Sequence, residues 1–285
     1  MHPERLRRQQ AQLAHATRGE WEQIYRNAAL WEFAPEFRLG FQVSFLAPFA
    51  VPSLARELVR SGAIVTDPTR RAYHTAIIIY ELLSLGLDSD RAHSLIRHIN
   101  RAHRGLPNTG AEMAFVLDAL VTLPIRSADQ YGPRPVLDVE REASARFYRR
   151  LGHLMGVPDP AETWEEAAER FDQYAAQHTV PSPEGRALGA ATLQVIRRRL
   201  PTAARPLAEN FIGAFVPEPA RTALALPRPR SAALALVQVA ARARTAVTSR
   251  RPPPKVPGFI PGQPAGVIYP EGYALTDLLG GAPRP

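Results

Sequence analysis

The chain has 285 residues, 45% hydrophobic and 22% charged, which is material for a substantial core and reads neither as wholesale disorder nor as a membrane bundle. It has no cysteine, so disulfides, thiol nucleophiles, cysteine-ligated zinc, iron–sulfur clusters and a thiolate-ligated haem are excluded, and any metal must be held by His, Asp, Glu or Tyr. The formal charge of +8 rests on 34 arginines and one lysine, Lys255, a bias that with 28 prolines reads as a GC-rich genome. No nucleic-acid partner is expected: the arginine groups at 5–8, 197–199 and 242–251 lack interleaved Gly or aromatic residues and read as solvated helix faces.

At the N-terminus, Arg5, Arg7 and Arg8 lead into polar Gln9-Gln10-Ala11-Gln12 rather than an apolar run, so no secretory signal is read and a cytoplasmic protein is expected. No uninterrupted apolar stretch reaches the ~18 residues of a transmembrane anchor. The nearest to one, Phe41 to Leu54, is broken by Pro48 and Pro52 and is too short. Residues 3–30 read as one amphipathic helix, and the region 31–55 as aromatic and proline-punctuated. Asp67-Pro68 is a helix start, and residues 69–85 continue without a breaker to Gly86. Asp88-Ser89 opens a second helix over 90–104, ended by Gly105 and Pro107. Further helices are expected at 109–122, 138–155, 163–177, 185–200, 204–215 and 228–248, with almost no strand signal. From Pro252 the chain is rich in Pro and Gly, as in an extended tail wrapping the body. The division expected is an N-terminal helix (1–30), a helical body (31–250) and a tail (251–285). There is no phosphate-binding glycine loop, dinucleotide fingerprint or serine-hydrolase elbow.

Half of the eight histidines fall between His74 and His103. At 100° per residue, Ala92, Ile96, Ile99 and His103 lie within about 60° of one another, so His103 continues an apolar stripe while His98 points away. The five-residue spacing of His93, His98 and His103 splays them, unlike a zinc pair at i and i+4. One inward histidine suits a haem axial ligand, and it equally suits a hydrogen-bonded core residue. On the preceding helix Arg71, Thr75, Ile78 and Leu82 share a face bordered by His74. A buried Arg71 needs an anion: a propionate, a substrate carboxylate, or an acid of the protein such as Glu81. His74 and Thr75 can present donors to an oxygen species, or belong to an ordinary buried network.

Several short segments occur in a telling order: R-R-A-Y-H-T (Arg70–Thr75) with Tyr80-Glu81 and Gly86, I-N-R-A-H-R-G (Ile99–Gly105), P-I-R (Pro124–Arg126) and Q-Y-G-P-R-P (Gln130–Pro135). F-Y-R-R-L-G-H-L-M-G-V (Phe147–Val157) and Y-P-E-G-Y (Tyr269–Tyr273) follow. Together, over roughly residues 35–280, the sequence resembles the oxygenase family that includes MpaB and the latex-clearing protein.

That resemblance implies an all-α, single-domain helical bundle with a globin-like pocket for haem b, in which His103 of the N-x-x-H motif is the proximal iron ligand and Arg71 and Thr75 line the haem pocket. Where relatives of the latex-clearing protein carry Lys and many bacterial members Asp, this chain has His74, whose imidazole can bind iron, act as an acid–base group or hydrogen-bond. A glutamate used by rubber-cleaving members has no counterpart here, so polyisoprene cleavage is not carried over. The expected activity is that of a haem-dependent oxygenase or oxidase using dioxygen on a small, largely apolar molecule, with His74 and Thr75 as catalytic groups. The alternatives are a non-enzymatic haem sensor or carrier and a haem-free helical module with a basic surface. Aromatic residues of 33–49 are candidate pocket walls or ordinary core.

Overall fold

A computed structural model of the chain describes residues 1–60, 68–199, 201–202, 213–266 and 268–280, without the side chains of 68–72, 196, 198 and 199. Among the described residues the secondary structure is helical, with one isolated bridge, Ala265 to Tyr269, in the tail. The elements are α1 (Pro3–Thr17), α2 (Trp21–Asn27) running into a π-helical turn (Ala28–Glu32), α3 (Ala34–Leu46) with a 3₁₀ turn (Ala47–Ala50), and α4 (Pro52–Arg60). Then follow α5 (Pro68–Leu85), α6 (Asp90–His103), α7 (Gly110–Tyr131), α8 (Asp138–Met155), α9 (Trp164–His178), α10 (Pro183–Arg199), α11 (Glu218–Ala223), α12 (Ser231–Arg250) and α13 (Leu275–Leu278).

Two expectations are corrected here. The single helix over 3–30 is two, because Gly19 takes a positive φ of 73° and turns the chain between α1 and α2. The helix expected to stop at 122, before Pro124, continues to Tyr131. Pro124 is tolerated because it lies at the crossing with α3: a Cβ on Gly40 would sit 2.3 Å from Pro124 Cα, so the two backbones touch there. Packing outweighs the hydrogen bond that proline removes. The start of α7 follows the sequence closely, with Thr109 capping Glu112 N at 3.2 Å and the Glu112 carboxylate accepting from Thr109 N at 2.6 Å. Except for its last three residues, the helix expected over 204–215 lies outside the described residues.

The core is built where α3 crosses α7 and where α2, α5, α6 and α8 close around it, from Phe33, Phe37 and Phe41 of the aromatic segment together with Tyr25, Leu82, Leu95 and Tyr148. The 33–41 aromatics are therefore core, and the Phe41 ring also meets Tyr80 at 5.6 Å. Beneath α1 the core carries charge. Arg134 makes a fork to Glu140 at 2.7 and 2.8 Å, Arg5 donates to Glu32 at 2.5 Å, and Gln12 donates to Glu140 at 3.1 Å. All five side chains are buried, and the pairing is what makes their burial tolerable. The guanidinium of Arg134 also lies 4.7 Å from the centre of the Phe33 ring.

Candidate active site on the α5–α6 hairpin

Helices α5 and α6 form an antiparallel pair joined by a turn at Gly86, which takes φ +77°, and Ser89, whose hydroxyl caps Ala92 N at 3.2 Å. Two side-chain pairs, seven residues apart along both helices, set its register. Near the turn, Arg91 forks onto the fully buried Glu81 at 2.5 and 2.9 Å. Two helical turns away, the rings of His74 and His98 meet edge to face with centroids 6.3 Å apart. Counted on by the same register, His103 corresponds to position 69 in the first turn of α5, two residues before Arg71.

His103 closes α6 and is exposed, whereas Ala92, Leu95 and Ile96 of the same stripe are buried and Ile99 is half-buried. The expectation that His103 faces the core is corrected: its azimuth is that of the stripe, but it is exposed, the last turn of α6 lying at the edge of what the described residues cover. His98, expected to point away, is half-buried against His74, because α5 packs on the flank of α6 that carries Arg91 and His98 at i and i+7. Nothing in the periodicity of α6 alone announces this second face.

The ring of His103 folds back on its own helix, as that of His178 does at the end of α9. Its Nδ1 lies 2.9 Å from the carbonyl oxygen of Ile99, and since a carbonyl only accepts, Nδ1 carries the proton and the lone pair of the neutral ring is on Nε2. A ring that donates one N–H to a backbone carbonyl and offers the other nitrogen is the form in which imidazole ligates a metal. The residues present therefore fit a haem axial ligand at this end of the hairpin. His74 and Thr75 are half-buried on the α5 face nearby. Arg71 belongs to α5, but its side chain lies outside the described residues. Among the described residues the Glu81 carboxylate oxygens receive Arg91 and, at 2.5 Å, the hydroxyl of Tyr273.

The tail lies along α5. Phe259 stacks on Tyr80 at 5.2 Å, Gly266 passes so close to Tyr73 that a Cβ there would sit 2.4 Å from its ring, and Tyr273 reaches Glu81. Gly258 N donates to Leu30 O at 2.6 Å. Burial pushes the Tyr80 phenol up to about 12, against the pull of nearby Arg38, so it stays a neutral donor at physiological pH. The Y-P-E-G-Y and Tyr80-Glu81 segments, remote in sequence, thus meet in one contact. Most of the remaining segments of the resemblance serve the fold: Arg134 is in the buried ion network, Phe147 and Tyr148 are core, and Arg126 forks onto Asp172 at 2.6 and 2.8 Å.

Comparison with known proteins agrees with the segments singled out above. Residues 37–247 match the family described as ER-bound oxygenase mpaB/B′/Rubber oxygenase, catalytic domain. Among curated proteins, the chain is 23% identical over 230 residues to ER-bound oxygenase mpaB′ of Penicillium brevicompactum, covering 74% of this chain and 54% of that one. It is 22% identical over 230 residues to ER-bound oxygenase mpaB of Penicillium roqueforti (strain FM164), covering 77% of that relative, and 24% identical over 206 residues to ER-bound oxygenase mpaB of Penicillium brevicompactum, covering 53%. The chain thus spans about half the length of two of these relatives. Among the described residues no helix is long and apolar enough to cross a membrane.

Proposed function

The chain belongs to the mpaB and rubber oxygenase catalytic-domain family, and from that premise we propose that it is a haem b-dependent oxygenase or oxidase that uses dioxygen on a small, largely apolar molecule. The observation that carries this reading is the 2.9 Å contact of His103 Nδ1 with Ile99 O, which calls for Nδ1–H and leaves the Nε2 lone pair for a ligand bond. In this reading His103 holds the haem iron, which when bound supplies the site of dioxygen activation. Arg71 neutralises a propionate, which a guanidinium fork suits better than an ammonium. His74 and Thr75, on the half-buried face of α5, hold or pass a proton beside the reacting molecule. The tail packs on the neighbouring flank of α5, Gly266 against Tyr73 and Phe259 against Tyr80, and holds the hairpin in place beside this face.

The test is the visible absorption spectrum of protein purified with haem supplied during expression. The parent chain is expected to carry haem, and His103→Ala to fold, by circular dichroism, while losing most of it. His98→Ala, which removes a ring facing α5, is expected to keep its haem. A His103→Ala protein with full haem content and an unchanged ferric spectrum would overturn the assignment.

A further inference from the structure

Helix α12 differs in kind from the others. None of its 20 residues is fully buried; Leu234, Val237 and Ala241 are half-buried on its inner side, where Arg244 Nη1 donates to the buried Glu36 at 2.5 Å and Thr245 Oγ1 to Tyr131 O at 3.0 Å. The face turned away from these anchors carries Leu236, Val239, Ala243 and Val247, at helical spacings of three, four and four residues. Leu236 and Val239 are 69% and 60% exposed, more than an ordinary surface leucine or valine needs to be. The segment that follows adds Val256, 68% exposed, and Ile260.

The charge around this face has one sign. Between Glu218 and Glu271 the sequence contains no Asp or Glu, yet it carries seven arginines and Lys255. Arg242 and Arg250 lie on the outward side of α12, and Arg251 and Lys255 follow it. Among the described residues none of these four has a carboxylate within ion-pair distance.

We propose that α12 is a peripheral membrane-binding helix, laying its Leu236–Val239–Val247 face and Arg242 and Arg250 on the surface of an anionic lipid bilayer. A helix whose exposed side carries leucine and valine with arginines among and beside them, and no acid, suits the headgroup region, where apolar side chains enter the acyl boundary and long arginines reach the phosphates. Charge selects lipid over the other candidates. A second copy paired through the same face would bring two faces of like charge together, with Arg242 near its own mate and no acid between them, which costs more than pairing a bare apolar stripe would. Nucleic acid would satisfy the arginines and leave the leucine and valine side chains in water. The helix does not span, since no described helix is long and apolar enough to do so.

The test is flotation of the full-length protein with phosphatidylcholine vesicles and with vesicles that also contain phosphatidylserine, at low and high salt. Binding is expected with phosphatidylserine at low salt, weaker at high salt and slight on phosphatidylcholine alone. The exposed double substitution Leu236→Asp, Val239→Asp is expected to lower partitioning by about tenfold or more with an unchanged circular dichroism spectrum. Arg242→Gln and Arg250→Gln should each lower it by about fivefold. In a Leu236→Trp protein, tryptophan emission should move to the blue when phosphatidylserine vesicles are added, which purely electrostatic adsorption would not produce. The proposal is overturned by any of three results: no flotation at low salt, flotation unchanged in the double Asp variant, or a concentration-dependent dimer that the double Asp variant abolishes.

Discussion

Glu81 has no contact with solvent and both of its oxygens are in use, one side taken by the fork of Arg91 and the other by the Tyr273 hydroxyl. Glu81→Gln puts an amide donor against one of these donors and strips Arg91 of its anion, so a loss of about 2–4 kcal/mol is expected in urea unfolding. Tyr273→Phe removes one hydrogen bond and should cost about 1–2 kcal/mol. At the site itself, His74→Ala is expected to leave haem content intact while turnover with dioxygen falls by about 10²–10⁴-fold and loses its pH dependence near neutrality, as for loss of an acid–base group. A change from low-spin to high-spin iron with unchanged turnover would instead make His74 an iron ligand. The candidate residues His74, Thr75 and His103 could be named from the sequence because they sit in short segments of fixed spacing. The neighbourhood of His98 could not, since ring contact between helices depends on how α5 rolls against α6, and the period of neither helix contains that angle.

At the scale of elements, the crossing of α3 and α7 depends on the absence of one side chain. Gly40→Ala would place a methyl 2.3 Å from Pro124 Cα and 2.7 Å from Leu123 O, both backbone atoms that cannot rotate away. A destabilisation of about 2–3 kcal/mol is expected, read as a lower denaturant midpoint with the cooperativity retained. Ser44, one turn on, bridges the same pair of helices by donating to Ala119 O at 2.9 Å. Element starts were legible wherever the cap is local chemistry, as at Ser89 and Thr109. The length of α7 was not, because proline reads as a stop unless the neighbouring helix that compensates for it is known.

For the whole molecule, the buried carboxylate Asp118, on α7 against α9, makes stability depend on pH. Burial raises its pKa from an ordinary 3.8 to about 7, with Arg170, 3.2 Å away, opposing the rise. Between about pH 4 and 7 the folded chain therefore holds a proton that the unfolded chain has released, so this group's contribution to stability falls as pH rises through that window and is level above it. Asp118→Asn is expected to flatten that slope and, above pH 7, to be more stable than the parent by on the order of 1–3 kcal/mol, measured by thermal unfolding across the range. A parent whose stability does not fall between pH 4 and 7 relative to the Asn variant would assign Asp118 an ordinary pKa. Such a group gives no sign in the sequence, where Asp118 is one acid among 27 acidic residues.

Composition, periodicity and caps by themselves determined that the chain is helical, that it has no thiol chemistry, and where most helices begin. These are properties of residues within a few positions of one another. The ordered short segments also determined the family. What only the tertiary structure decided is which face of each helix is covered and at what height: that the stripe of α6 is uncovered at His103, that His98 belongs with His74, that Glu81 answers to Arg91 and Tyr273, and that the outward stripe of α12 is left bare. Hydrophobic pattern sets the direction in which a side chain points, whereas burial depends on what the rest of the chain places opposite it.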